Sequence, residues 1–321
     1  MYKKIRTRLI PLTFCCLLFG SSEASENTSV SRIIADYAGQ IEKLKAVTFT
    51  FDITYRRIDS VDVRSIERGE VQYGNKTLYM FFSQLDPDGT ESSRYERLVR
   101  LGTSYVSCLE GKGKDSLTVH SALHVEALEG TGEPQNNLGP WGILWGRIEV
   151  APSKTLVLPE FLREYQFKQG DYFFQEDGSM ILKCAVEDEK IHMDLHFVRR
   201  DGQYSLKELV LNRDPDAWNP QSISYFRYAV DKFVHVDSFF LSEEFTIEQK
   251  VPKGTFVRNG RELVSPGSAS SDRFKINNIE LSINADKPSF QLRTQIPNYT
   301  PVHCWMHCTF STFGLTARLC R

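Results

Sequence analysis

The chain lacks the short motifs that mark most nucleotide-binding and acyl-transfer enzymes. No Walker phosphate loop, no GxGxxG and no GxSxG occurs in its 321 residues. An excess of charge of either sign is missing as well. With 39 Lys and Arg against 41 Asp and Glu, the formal net charge is -2. Basic residues are dispersed, which offers no electrostatic footprint for a nucleic-acid partner. Cysteine is sparse: downstream of residue 25 only Cys108, Cys184, Cys304, Cys308 and Cys320 remain. That odd number leaves at least one thiol unpaired in an oxidising compartment. Beyond residue 25 no apolar run approaches the roughly 20 residues of a membrane-spanning helix.

What is present begins with a targeting signal. Lys3, Lys4, Arg6 and Arg8 form a basic start, and Leu9 to Phe19 an apolar run too short to span a bilayer. Small residues around Ser22 and Ala24 place a cleavage point near Ala24 or Ser25. Residues 1–25 are therefore read as a signal peptide, with retention as an anchor or lipidation at Cys15 or Cys16 left open. The mature protein is expected in the periplasm or another extracytoplasmic space, soluble after cleavage.

Residues 29–57 organise the rest. Val30, Ile33, Ile34, Tyr37, Ala38, Ile41 and Leu44 repeat at helical spacing on one face, with Ser29 or Ser31 as N-cap. The period then changes to two: Val47, Phe49, Phe51, Ile53 and Tyr55 point one way and Thr48, Thr50, Asp52, Thr54 and Arg56 the other. Further strands are predicted around Gly69–Gln84, Tyr95–Leu101, Tyr105–Leu109, Tyr172–Phe174, Met180–Val186, Ile191–Phe197, Leu206–Leu211, Ile223–Val230, Val236–Ile247, Phe274–Ile283 and Phe290–Ile296. Ile58 to Arg68 reads as a polar connection. Asp86-Pro87-Asp88-Gly89, Asp177-Gly178 and Arg200-Asp201-Gly202 are turn signals, so consecutive strands pair as an antiparallel meander. A short helix is predicted over Pro159–Phe167. Between them, Gly139-Pro140-Trp141-Gly142-Ile143-Leu144-Trp145-Gly146 breaks regular structure. Its two Trp fill a core or form the lip of an apolar pocket.

Ligand-type residues occur in three places. His192, Asp194 and His196 share one face of a strand, but neighbouring positions on a face are about 7 Å apart. The first and third are then too distant for one small ion, and the residues read as a wet outer face. His120 and His124 would share a helix face. His303-Cys304-Trp305-Met306-His307-Cys308 has metal-friendly types in a single cluster, without the second half of a structural site. No cofactor is expected. Cys108 and Cys184, each in a strand-like run, read as buried small hydrophobes rather than as a disulfide. The segment 304–321 holds three of the five later cysteines and no acidic residue, and is read as a disordered tail.

The order of elements resembles the LolA/LppX superfamily of periplasmic lipoprotein carriers, over roughly residues 29–303. The resemblance is carried by Val47-Thr48-Phe49-Thr50-Phe51-Asp52, by the pairing of Cys184–Val186, Ile191–Phe197 and Leu206–Leu211, and by Phe290-Gln291-Leu292 followed by Ile296-Pro297-Asn298-Tyr299-Thr300-Pro301-Val302. Asn298-Tyr299 stands where the family has Gly. It implies an α+β fold: one strongly curved antiparallel sheet, a half-open barrel, with the N-terminal amphipathic helix and short helices across its concave face. Residues 26–303 would form that single domain. It also implies a scaffold able to hold acyl chains, while the RseB/MucB type of regulator uses the same fold to bind a protein.

The function expected is therefore a non-enzymatic exported protein that holds a lipid, an acyl chain or a lipoprotein in an apolar cavity. The density of aromatics at alternating positions singles out Phe49, Phe51, Tyr79, Phe81, Trp141, Trp145 and Phe226 as lining residues, each equally readable as ordinary core. The alternative is a regulatory or structural module that docks an envelope protein through a sheet edge or the 252–272 loop. A metal-dependent hydrolase using His192, Asp194 and His196 is a third, disfavoured reading.

Overall fold

The computed structural model describes residues 21–58, 62–74, 77–100, 105–112, 119–126, 139–151, 154–218, 222–258 and 260–282. The signal segment before residue 21, the strand expected over 290–296 and the tail 304–321 lie outside them. Helix α1 (Ser21–Lys43) opens the fold. It begins eight residues before Ser29, and so runs through the expected cleavage point. Strands β1 (Val47–Arg56), β2 (Val63–Gly74), β3 (Thr77–Leu85), β4 (Glu91–Arg100), β5 (Tyr105–Lys112) and β6 (Val119–Glu126) follow. A 3-10 turn, Gly139–Trp145, leads into a hairpin of β7 (Arg147–Ala151) and β8 (Lys154–Val157), then α2 (Leu158–Glu164). The chain continues through β9 (Tyr172–Phe174), β10 (Met180–Val186), β11 (Ile191–Arg200), β12 (Gln203–Arg213), β13 (Tyr225–Val236) and β14 (Phe239–Val251). A small hairpin, β15 (Gly254–Arg258) and β16 (Arg261–Ser265), precedes β17 (Ser268–Glu280).

Among the described residues thirteen strands form one antiparallel sheet in the order β6-β5-β4-β3-β2-β1-β17-β14-β13-β12-β11-β10-β9. It is two meanders, β1–β6 and β9–β14, joined where β17 returns between β1 and β14. Among the described residues the sheet does not close, since β6 and β9 are its two edges. It is the open α+β architecture that the resemblance implies, its strands paired as the antiparallel meander that the turn signals imply. Curvature has local causes. Register shifts interrupt β1–β17, β11–β12 and β13–β14, and such bulges bend and twist a strand. At Gly69 a Cβ would lie 2.0 Å from the Phe81 carbonyl oxygen, so β2 and β3 approach there as only glycine allows.

The inner face carries Phe49, Phe51 and Ile53 of β1, Val71 and Tyr73 of β2, Leu78 and Met80 of β3, and Phe245 and Phe274 of β14 and β17, all buried. Helix α1 lies across this face. Its apolar stripe is buried from Val30 to Leu44, and its polar flank is tied to the sheet. Arg32 donates to the Gly202 carbonyl at 2.9 Å, Gln40 Nε2 to the Tyr204 carbonyl at 2.8 Å, and Lys43 Nζ to Ser238 Oγ at 2.9 Å.

Four local expectations differ. The segment 252–272, expected as a loop, holds the hairpin β15–β16 and the start of β17. The polar stretch Arg64–Arg68 belongs to β2, because β1 supplies partners for it: Arg68 pairs with Asp52 at 2.7 Å, and Tyr55 donates to Glu67 at 2.8 Å. His120 and His124 lie on strand β6, not on a helix. Helix α2 stops at Glu164, short of Phe167. Cys108 lies on β5 and Cys184 on β10, near opposite edges of the sheet. Cys184 is buried and free, and burial pushes its thiol up to about 12, which keeps it protonated and unreactive.

Candidate functional site

The 3-10 turn Gly139–Trp145 sits over the middle of the inner face. Trp141 is buried among Phe51, Phe274, Phe49 and Phe245, with ring centroids 4.7, 5.1, 5.4 and 6.1 Å away. Phe245 and Phe274 stack beneath it, 4.8 Å apart. The centre of the concave face is therefore filled by side chains. Trp145 is set differently. Its indole Nε1 donates to the Leu44 carbonyl at 3.0 Å, and its ring stands edge-on to Tyr73 at 5.5 Å.

That placement leaves a cleft of about 260 Å³ between α1, α2 and the end of the sheet. Its apolar wall is Ile41, Leu44, Tyr73, Trp145, Val157 and Pro159. Lys45, Arg147 and Arg163, with Glu42 and Glu160, complete its lining. The volume lies just under the roughly 300–1,000 Å³ of small-molecule sites. Gly146 fixes the junction. It has φ +64°, and a Cβ there would lie 2.7 Å from Ile41 Cδ1 and 2.9 Å from Pro159 Cδ. Only glycine both adopts that backbone and lets the helices close to this distance. A second space of about 40 Å³ lies on the other side of Ile41 and Leu44, bounded by Tyr37, Tyr228 and Phe239 among others. It is large enough for one or two waters. The Tyr37 hydroxyl is buried with no partner among the described residues, and burial raises its pKa.

The seven aromatic candidates separate into groups. Trp145 lines the cleft. Phe49, Phe51 and Trp141 form the packed layer behind it. Phe226 is buried on the inner face opposite Leu211, toward the other end of the strands. Tyr79 and Phe81 stand opposite Gln72 and Glu70, on the face of β3 turned away from Leu78 and Met80. Sequence alternation gives two faces but not which is inner. In β3 every residue from Leu78 to Phe82 is apolar, so the pattern there carried no sign. Ile41 and Leu44 of the cleft were visible in the helical stripe. Tyr73, Val157 and Pro159 come together only through the fold.

His192, Asp194 and His196 alternate with Ile191, Met193, Leu195 and Phe197, which are buried. His192 reaches Asp214 at 3.1 Å. Among the described residues no three His, Cys, Asp or Glu gather as a metal set.

No protein-family model matches the chain, and no curated protein matches it in sequence. Solved structures do resemble it. One, described as an outer membrane lipoprotein-sorting protein domain from Vibrio parahaemolyticus, is 6% identical, with TM-score 0.38, over 81% of this chain and 97% of that one. A LolA superfamily protein from Nitrosomonas europaea is 9% identical, with TM-score 0.34, over 82% of this chain and 96% of that one. MucB in complex with MucA(peri) is 8% identical, with TM-score 0.13. The likeness gives no residue a role, and the chemistry of the site rests on the cleft itself.

Proposed function

We propose that the protein is an exported, non-enzymatic binding protein that takes an apolar or acyl ligand into the cleft between α1 and α2. The observation that carries this reading is the cleft's construction. Apolar residues of the two helices, β2, β8 and the Trp145 turn line it, α1 and α2 meet closely over Gly146, and five charged side chains complete the lining. Burying an acyl segment there gains about 0.8 kcal/mol per methylene, so a ligand filling the wall binds without any catalytic group. Because the centre of the sheet is packed around Trp141, the ligand lies at the end of the barrel rather than along its axis.

The test is uptake of a fluorescent fatty-acid or lipopeptide probe by delipidated protein, compared with Val157→Trp. Val157 is half-buried on the cleft wall, and an indole there occupies the ligand's space. Saturable uptake that Val157→Trp removes, with melting unchanged, supports the reading; no uptake by the wild type refutes it. The filled interior favours one second reading, a module that docks an envelope protein on the same scaffold. Recovery of one such protein with lipid-free material would establish that instead.

A further inference from the structure

Away from the cleft, at the end of the sheet where β1 runs out, two loops present an unusual surface. The β15–β16 hairpin projects between β14 and β17 as a separate two-stranded sheet. Its base is fixed: Ser265 Oγ accepts from the Gly267 amide at 3.2 Å. Gly267, with φ +74°, is so close to Lys253 and Val251 that a Cβ would meet their backbone at 3.0 and 3.2 Å. On this rigid base Val257 is 71% and Val264 68% exposed. The register places Val257 opposite Glu262 and Val264 opposite Thr255, on one face, while Leu263, also exposed, stands opposite Phe256 on the other. The β1–β2 turn lies alongside, because Arg57 bridges to Ser270 of β17. It contributes exposed Ile58. Around these apolar groups Arg56, Arg57, Arg64, Lys253 and Arg261 are all exposed, against exposed Asp62 and Glu262.

Exposed aliphatics on both faces of a projecting hairpin discriminate between partners. A protein surface covers one face of a ribbon. The interfacial zone of a bilayer surrounds it, and accepts cations at the level of the lipid headgroups. We propose that this end of the molecule docks on an anionic membrane surface, with Val257, Leu263 and Val264 entering the interface and the arginine-rich rim meeting lipid phosphates. This goes beyond the reading of the cleft and does not depend on it.

The experiment is hydrogen exchange on the full chain, read at the amides of 254–257 and 261–265. Vesicles of phosphatidylglycerol with phosphatidylcholine are compared with phosphatidylcholine alone. Since the signal comes from the hairpin, attachment through the N-terminal segment cannot imitate it. The expected result is slowed exchange in the hairpin with the anionic vesicles only. Val257→Asp with Val264→Asp, and separately Lys253→Glu with Arg261→Glu, should each weaken that protection about tenfold or more. These positions are exposed, so melting should not change. Unaltered hairpin exchange with anionic vesicles, equal protection by neutral ones, or wild-type protection in the Asp variant overturns the proposal.

Discussion

Replacing Trp141 with alanine probes the statement on which the site's location depends, that the middle of the concave face is packed. The indole contacts four aromatic rings within 6.1 Å and is buried. Removing it forfeits the transfer of a large apolar group and leaves a cavity, together about 3–5 kcal/mol for Trp→Ala in a core. The ring-on-ring geometry, worth about 0.5–1.5 kcal/mol per pair, places Trp141 toward the upper end of that range. For a domain of this size each kcal/mol shifts melting by about 2–4 °C, so a fall of about 10 °C or more is expected in thermal denaturation followed by circular dichroism. Trp141→Phe, which keeps a ring against Phe51 and Phe274, should lose less than half as much. A melting temperature within about 2 °C of wild type for Trp141→Ala would mean that the indole is not enclosed. The long axis of the barrel would then be open to ligand, contrary to the placement of the site at its end.

Two further outcomes follow from the same geometry. Gly146→Ala adds a Cβ against Ile41 and Pro159 at a positive φ. It should cost about 1–3 kcal/mol in denaturant unfolding and lower probe affinity, because α1 and α2 must part; retained stability and affinity would refute the role given to the junction. At the other end, burial holds Glu67 above the usual carboxylate range, only partly offset by the Tyr55 hydroxyl, and burial raises Asp272 as well. A raised folded-state pKa favours folding when the group is protonated. That contribution is present below the unfolded value near 4.3 and is lost as pH rises through the folded value. Melting temperature should therefore rise on acidification from neutral pH toward that range, and Glu67→Gln should raise it at neutral pH and flatten the slope. An unchanged slope in Glu67→Gln would assign the effect elsewhere.

Much of the architecture is legible in the residues because its signals are local. The stripe from Val30 to Leu44 and the alternation from Val47 to Tyr55 each specify one element and its buried face, and both packed as their periods imply. Met180–Val186 and Ile191–Phe197 pair in the register their apolar positions require. What was hidden depends on pairing at long range. Arg64–Arg68 looked like a loop because its partners Asp52 and Tyr55 lie one strand away. The union of β1 with β17 spans most of the chain and leaves no local trace. The site was less legible than the fold. Aromatic density finds packed places as readily as open ones, so it marked Trp141 as strongly as Trp145. The difference between them is a hydrogen bond to Leu44 and the absence of a Cβ at Gly146.

On the two proposals the ends of the sheet carry different tasks. Tyr73 of the cleft pairs with Val47 at the start of β1, while Arg57, next to the base of the projecting hairpin, follows its end. Ten residues of β1 separate them, about 33 Å at strand rise. That exceeds the roughly 8–10 Å over which surface charge acts at physiological salt, so the cations near the hairpin exert little direct pull at the mouth of the cleft. Between the two ends stands the aromatic layer around Trp141, close-packed and therefore poorly compressible. A ligand in the cleft and a surface met by the hairpin would thus be engaged independently. Charge reversal at Lys253 and Arg261 should leave probe uptake unchanged.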